Sequence, residues 1–261
     1  MKWIIDKAFY NKSHIYVNNY KATRYKRKNT NKLTKEQLMK HITFLIDNIY
    51  ITVGKHIFRQ IIGIPMGTDC APFLANLYLY SLEYHFLEST AKKNIYFARK
   101  FSNSYRYIDD LLSFNNNNFI NQFKKRIYPQ GLTLNKENKS PTNTSFLDID
   151  ITIDNNEIIT KLYDKRDDFK FDINSFPFLS SNIHKKRTHG VIISQLIRYS
   201  KACSKPKDFL TKAKTLIAKL IKQHFNITLL KKKTSIFYDK YYHLITKYNI
   251  TRRSMILNMF T

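Results

Sequence analysis

The chain has 261 residues, with 45 Lys and Arg against 19 Asp and Glu, a formal net charge of +26 and a pI near 9.9. That balance favours a polyanion as partner. Hydrophobic residues make up 43% of the sequence and aromatics 15%, enough apolar surface for a real core, so a wholly disordered basic tail is excluded. Only five glycines and six prolines occur, which excludes collagen-like or linker-rich architecture.

Cys70 and Cys203 lie far apart without a CxxC pair. Neither a disulfide framework nor a thiolate zinc site is indicated, and an intracellular compartment, nuclear or cytoplasmic, is expected. The most apolar stretch, Ala71 to Leu87, is interrupted by Asn76, Ser81, Glu83 and His85, and the N-terminus lacks a signal-peptide layout, so no membrane span is expected. An AT-rich coding sequence would favour Lys, Asn, Ile, Tyr and Phe and so inflate the lysine count. Distribution argues for more than bias: residues 1–170 hold 27 basic and 16 acidic side chains, whereas residues 171–261 hold 18 and 3. Codon bias alone would not strip the acids from one end.

In chain order, a basic opening leads to Thr34-Lys35-Glu36-Gln37, which has the form of a capping box and is followed by Leu38, Ile42, Leu45 and Ile49 at helical spacing. A helix over about 34–48 is predicted. NIYITVGKHIFRQII then reads as two short strands about Gly54-Lys55, leading to GIPMG at residues 63–67. From Thr68 to about Ser89 the period becomes three to four, with Pro72 near the start, which predicts a long helix. SYRYIDDLLSF reads as strand, tight turn at Asp109-Asp110, strand. NFINQFKKRIY reads as a short helix ending before Pro129. In TSFLDIDITID, Leu147, Ile149, Ile151 and Ile153 alternate with Asp148, Asp150, Thr152 and Asp154, the pattern of one strand with an apolar and a wet face. Asn155-Asn156 turns it into EIITKLY. Past Phe178 the chain reads as helical, most clearly after Pro206, where Phe209, Ala213, Leu216, Ile217, Leu220 and His224 form one stripe. The class is α+β, divided into residues 1–178 and a basic helical region, residues 179–261.

YIDD, Tyr107 to Asp110, is the sharpest chemical signal. Two adjacent carboxylates at a hairpin tip repel each other, and a divalent cation relieves that repulsion most simply. Magnesium prefers carboxylate and phosphate oxygens, which implies a nucleotide triphosphate as substrate. The GIPMG loop places two of the five glycines just before a long helix, where a nucleic-acid backbone or base pair could come close. A second pair, Asp167-Asp168, sits among Lys165, Arg166 and Lys170 and reads as a solvated turn.

FRQIIGIPMGTDCAPFLANLYLYSLE followed by SYRYIDDLLSF resembles the palm of reverse transcriptases, most of all those of Penelope-like retroelements. GLTLNKENKS is similar to the segment after the family's catalytic hairpin, and SFLDIDI with KLYDKRDD to its primer-side hairpin. The likeness extends more weakly through SNIHKKRTHGVIISQLIRYSKACS and covers roughly residues 33–204. The resemblance implies an antiparallel palm sheet with packed helices followed by a helical thumb, and RNA-directed DNA synthesis from dNTPs on an RNA template and a DNA primer. Two Mg²⁺ ions are expected, with Mn²⁺ as an alternative. Asp109 would be the principal metal ligand and Asp110 its support. Tyr107 and Ile108 would position the hairpin, Gly63, Ile64, Pro65, Met66 and Gly67 would contact template and nascent pair, and Lys136 would lie near the incoming nucleotide. The thumb would grip the duplex by its phosphates.

The family also uses a third carboxylate from a palm strand upstream of the glycine loop, and basic fingers before it. Asp6 is the only acidic residue before Glu36, and WIIDKAFY looks more like the helix that follows such a strand. Asp47 falls in the helix before the first hairpin. The expectation is therefore a palm and thumb whose fingers and first palm strand are missing, with weak metal binding by the chain alone. Two other functions fit parts of the pattern: a non-catalytic nucleic-acid-binding remnant, and a nuclease built on Asp148 and Asp150. His184 and His189 flank Lys185, Lys186 and Arg187 and read as a phosphate-facing loop. Residues 41–90 hold Lys55 and Arg59 against Asp47, Asp69, Glu83 and Glu88, so the charge is concentrated in two basic flanks around an acidic site.

Overall fold

The computed structural model describes residues 2–64, 67–116, 126–138, 140–171 and 173–261. The chain divides into two compact units, Met1–Asn135 and Lys136–Thr261. The fold is mixed α+β, with small antiparallel sheets and packed helices.

In the first unit, helix α1 (Lys2–Phe9) buries Ile5 and Phe9. Strands β1 (His14–Val17), β2 (Ala22–Thr23) and β3 (Asn31–Thr34) form a three-stranded sheet in the order β2-β1-β3. Helix α2 (Lys35–Asp47) opens with the predicted capping box: the Gln37 amide donates to Thr34 Oγ1 at 3.1 Å, and the Thr34 amide donates to Gln37 Oε1 at 2.9 Å. No residue within α2 is buried, however, and of the predicted stripe only Ile49, just past the helix end, is. Strands β4 (Tyr50–Val53) and β5 (His56–Arg59) pair about Gly54, whose φ of +62° suits a residue without a Cβ.

The long helix α3 (Ala71–Lys93) starts at Pro72's turn and runs past the predicted end at Ser89, to be followed by α4 (Ile95–Arg99). Strands β6 (Ser104–Tyr107) and β7 (Asp110–Ser113) form the YIDD hairpin. A small core of Phe86, Phe101, Ile127 and Tyr128 lies between these elements, with Leu82, Leu87 and Leu111 against it. The predicted helix NFINQFKKRIY falls mostly on 117–125, outside the described residues.

The second unit begins with β8 (Asn143–Phe146), β9 (Ile149–Asp154) and β10 (Glu157–Leu162), in the sheet order β10-β9-β8. The single strand expected from TSFLDIDITID is therefore two. Phe146 pairs with Ile149, and Leu147 and Asp148 form a two-residue turn with Leu147 at φ +55°. No glycine or asparagine marks that turn, and the apolar alternation of β9 happens to continue through Leu147. Nor is Asp150 on a wet face, since its side chain is 13% exposed and Ser145 Oγ donates to it at 2.5 Å.

A 3-10 turn, Lys165–Asp168, precedes helices α5 (Lys185–Thr188), α6 (Val191–Ala202), α7 (Pro206–Lys222), α8 (Ile227–Lys240) and α9 (Arg252–Phe260). The α7 stripe is buried as predicted through Leu220, joined by Ile192, Leu196, Leu230, Phe237, Met255 and Met259. His224 departs from the prediction: at φ +67° it lies beyond the helix end, exposed, with its ring 5.8 Å from Phe178. A residue in the left-handed region at this position terminates a helix. Leu162 of β10 is buried in the same core, and the Ser204 amide donates to the Thr160 carbonyl at 2.8 Å. Hydrophobic burial thus ties the β8–β10 sheet to the helices, and the compact units part at 135/136 rather than at the expected 178/179.

Candidate active site

The YIDD hairpin turns one residue earlier than expected. Tyr107 pairs with Asp110, so Ile108 and Asp109 are the turn residues and Asp110 opens β7. Ile108 sits at φ +52°. A tight hairpin turn needs a positive φ at its first central residue and normally recruits glycine there; a β-branched side chain in that conformation is strained. Asp109 and Asp110 are both exposed, as is Tyr107. Two carboxylates therefore project from a turn held in an unfavourable backbone conformation.

The restraint comes from below. Arg106, one residue before YIDD, donates from Nε to Glu83 Oε1 at 2.6 Å and from Nη1 to Asn76 Oδ1 at 2.7 Å. The same Nη1 reaches the Ile108 carbonyl at 3.2 Å, within the turn itself. Tyr128 donates its hydroxyl to the same Glu83 oxygen at 2.6 Å. The Arg106 and Glu83 side chains are only 11% and 18% exposed. Burial, reinforced by the Glu83 carboxylate, pushes the Tyr128 hydroxyl well above its ordinary pKa, so it stays a donor. A guanidinium with its fork satisfied this way is a rigid strut, and here it joins α3 to the hairpin tip.

Sequence reasoning missed this network, although its trace was visible. Asn76 and Glu83 interrupt the apolar stretch of α3 seven residues apart, which places them on one helical face two turns from each other. Polar residues on one stripe of a half-buried helix need a partner, and Arg106 is it.

Gly63 and Gly67 bracket the glycine loop at φ +102° and +92°. A Cβ on Gly63 would lie 3.0 Å from Gln60 Nε2. Ile64 is half-buried, while Pro65 and Met66 lie outside the described residues. Lys136 is exposed and opens the second compact unit. Asp6 lies on α1 and is ion-paired with Lys35; Asp47 ends α2.

Among the described residues no group of three or more His, Cys, Asp or Glu side chains comes together; the exposed pair Asp109 and Asp110 is the kind of one- or two-carboxylate donor set that Mg²⁺ takes when waters and substrate phosphates complete its shell.

Asp148 and Asp150 do not form a joint site either. Asp148 is in the turn and accepts from Arg198 Nε at 3.0 Å, whereas Asp150 is bonded to Ser145 and lies 3.9 Å from Lys161. Asp168 is exposed in its turn and accepts from the Tyr163 hydroxyl at 2.6 Å. His184 caps α5, accepting from the Arg187 amide. His189 is buried, with Nδ1 2.8 Å from the Lys185 carbonyl and Nε2 facing the Asn226 amide. Those contacts make His189 a buried structural link rather than a phosphate-facing residue. Among the described residues no helix is long and apolar enough to cross a membrane.

In comparisons with protein-family models, curated proteins and solved structures, nothing matches this chain.

Proposed function

We propose that the chain is the palm and thumb of a retroelement reverse transcriptase, an RNA-directed DNA polymerase extending a DNA primer with dNTPs on an RNA template. The observation that carries this reading is the exposed Asp109-Asp110 pair on a strained turn, braced from α3 by Arg106 and preceded in sequence by the glycine loop. Bracing fits a catalytic role, because carboxylates that must meet developing charge work best when held in place. On this reading Mg²⁺, or Mn²⁺, is the cofactor, Asp109 its principal ligand and Asp110 the second. Gly63 to Gly67 face the template and nascent pair, and Lys136 serves the incoming nucleotide. The exposed lysines of α7 and α8, among them Lys207, Lys214, Lys222, Lys231 and Lys232, grip phosphates as a thumb does.

Primer extension on an RNA template with Mg²⁺ tests the reading. We expect synthesis that chelation stops and that Asp109→Ala lowers at least a hundredfold; synthesis unaffected by Asp109→Ala would overturn it. One observation favours a second reading. With no third carboxylate beside Asp109 and Asp110 among the described residues, the chain could instead bind nucleic acid without polymerising. It would then show salt-sensitive binding, untouched by Asp109→Ala, and no extension.

A further inference from the structure

Between Asp6 and Glu36 the sequence carries nine Lys and Arg and no acidic residue. The β2-β1-β3 sheet and, above all, the loops that join its strands carry most of them. Lys21, Arg24, Lys26, Arg27, Lys28 and Lys32 are all exposed, and none forms an ion pair with a carboxylate among the described residues. Set among these cations are Tyr20, 94% exposed, and Tyr25, 73% exposed.

The surface is ordered by its own side chains. Asn18 Oδ1 accepts from the Tyr20 and Lys21 amides, both at 3.0 Å, which fixes the turn between β1 and β2. Thr23 Oγ1 donates to the Tyr25 carbonyl at 2.7 Å, and Thr30 Oγ1 donates to the Arg27 carbonyl at 2.6 Å. The Lys12 ammonium lies 4.5 Å from the Tyr25 ring centroid and also reaches the Arg24 carbonyl at 3.4 Å. Tyr25 is thereby positioned without being buried.

We propose that this sheet with its connecting loops is a separate binding site for single-stranded nucleic acid, on which Tyr20 and Tyr25 stack unpaired bases while the surrounding Lys and Arg follow the phosphates. Exposed aromatics within a cationic surface are what a single strand needs and a duplex cannot use, because duplex bases are already stacked. Ordering beforehand lowers the entropic cost of binding. An anionic membrane would also attract the cations, but membrane anchoring uses inserted apolar side chains. From Tyr10 to Thr34 the only large exposed hydrophobics are the tyrosines Tyr10, Tyr20 and Tyr25.

The site does not depend on the polymerase reading and needs no metal. The test uses the full chain, fluorescent oligo-U and oligo-dT 20-mers, a duplex of the same length, and phosphatidylserine vesicles. For the double variant Tyr20→Ala, Tyr25→Ala, stacking worth ~1–3 kcal/mol per base predicts at least a tenfold weaker Kd on a single strand. Duplex binding should stay within twofold, and Tyr20→Phe, Tyr25→Phe should keep the single-strand affinity. A loss on either oligonucleotide supports the site, and the probe that loses more identifies the sugar it prefers.

Unchanged single-strand binding by the alanine pair would overturn the proposal. So would an equal loss on the duplex, failure of the phenylalanine pair, or vesicle binding without oligonucleotide binding. Asp109→Ala should leave this affinity intact while stopping extension, so failure of either proposal is visible without the other.

Discussion

The two compact units are nearly equal in length but are held together by different means. Among the described residues, every large side chain less than 2% exposed, from Ile192 to Met259, lies in the second unit. There the helices α6 to α9 close over one continuous apolar core. The first unit has a four-residue aromatic and aliphatic cluster and leaves much apolar surface outside it. Phe44 is 64% exposed, Ile57 71%, and Ile61 and Ile62 88% and 85%. Amphipathic periodicity is the same signal in α2 as in α7, yet only α7 finds a core. A hydrophobic stripe therefore specifies an element, while burial depends on what other elements bring to it.

The difference can be broken at its strongest point first. Phe237, fully buried in the second unit, should cost about 3–5 kcal/mol on truncation to alanine. Phe58, 56% exposed on β5, should change stability by no more than about 0.5 kcal/mol under the same truncation. The readout separates the units. The single tryptophan, Trp3, packs against Tyr84 and His85 in the first unit, so its fluorescence reports that unit during guanidinium unfolding. Far-UV circular dichroism follows the helices of both units, so the part of its transition that does not coincide with the fluorescence change reports the second. Phe237→Ala should shift the dichroism transition and leave the fluorescence transition in place; equal shifts in both would mean that the contrast between units does not govern unfolding.

A polar contact should matter most in the first unit. Arg106→Ala leaves Glu83 with an uncompensated charge at 18% exposure and removes the bond to the Ile108 carbonyl. We expect a loss of about 3 kcal/mol, the lower end for a broken buried ion pair because some solvent still reaches it. It should appear in the tryptophan transition. On the polymerase reading, Arg106→Ala also lowers kcat through a loosened Ile108-Asp109 turn, with KM for dNTP little changed.

Local chemistry made part of this architecture legible beforehand. The Thr34-Gln37 capping box and the α7 stripe were readable because each depends on residues within a few positions. The YIDD hairpin was readable to within one residue. The remaining shift there, and the hidden turn at Leu147, share one cause: an aliphatic residue takes a positive φ where turn rules look for glycine or asparagine. Only pairing with the partner strand overrides that preference, and pairing is not a local property. The Arg106–Glu83–Tyr128 network joins residues up to 45 positions apart. Its members stood out in α3 as polar interruptions, but their partner could not be named. Lys136 was assigned to the incoming nucleotide on the resemblance alone, for no local pattern in the sequence marks it.

The smallest effect sharpens the contrast from the side of the second unit, where charge should contribute little. Asp164 receives Arg166 Nε at 2.8 Å and Nη2 at 2.6 Å, a two-pronged pair. The Arg166 hydrogen bonds outweigh the cost of burial and hold its carboxyl down at about 2. An unfolded aspartate titrates near 3.9, so the folded state binds this proton more weakly than the unfolded state. The pair's contribution is then fully present above about pH 4 and is lost as the pH falls through about 2. Because the Arg166 side chain is 38% exposed, solvent screens the pair and the contribution is small. Arg166→Gln should lower the second unit's stability slightly at pH 6 and converge with the unmodified chain by pH 2, measured by the dichroism transition at each pH. A deficit that persists unchanged at pH 2 would mean that Arg166 acts through packing rather than through its charge.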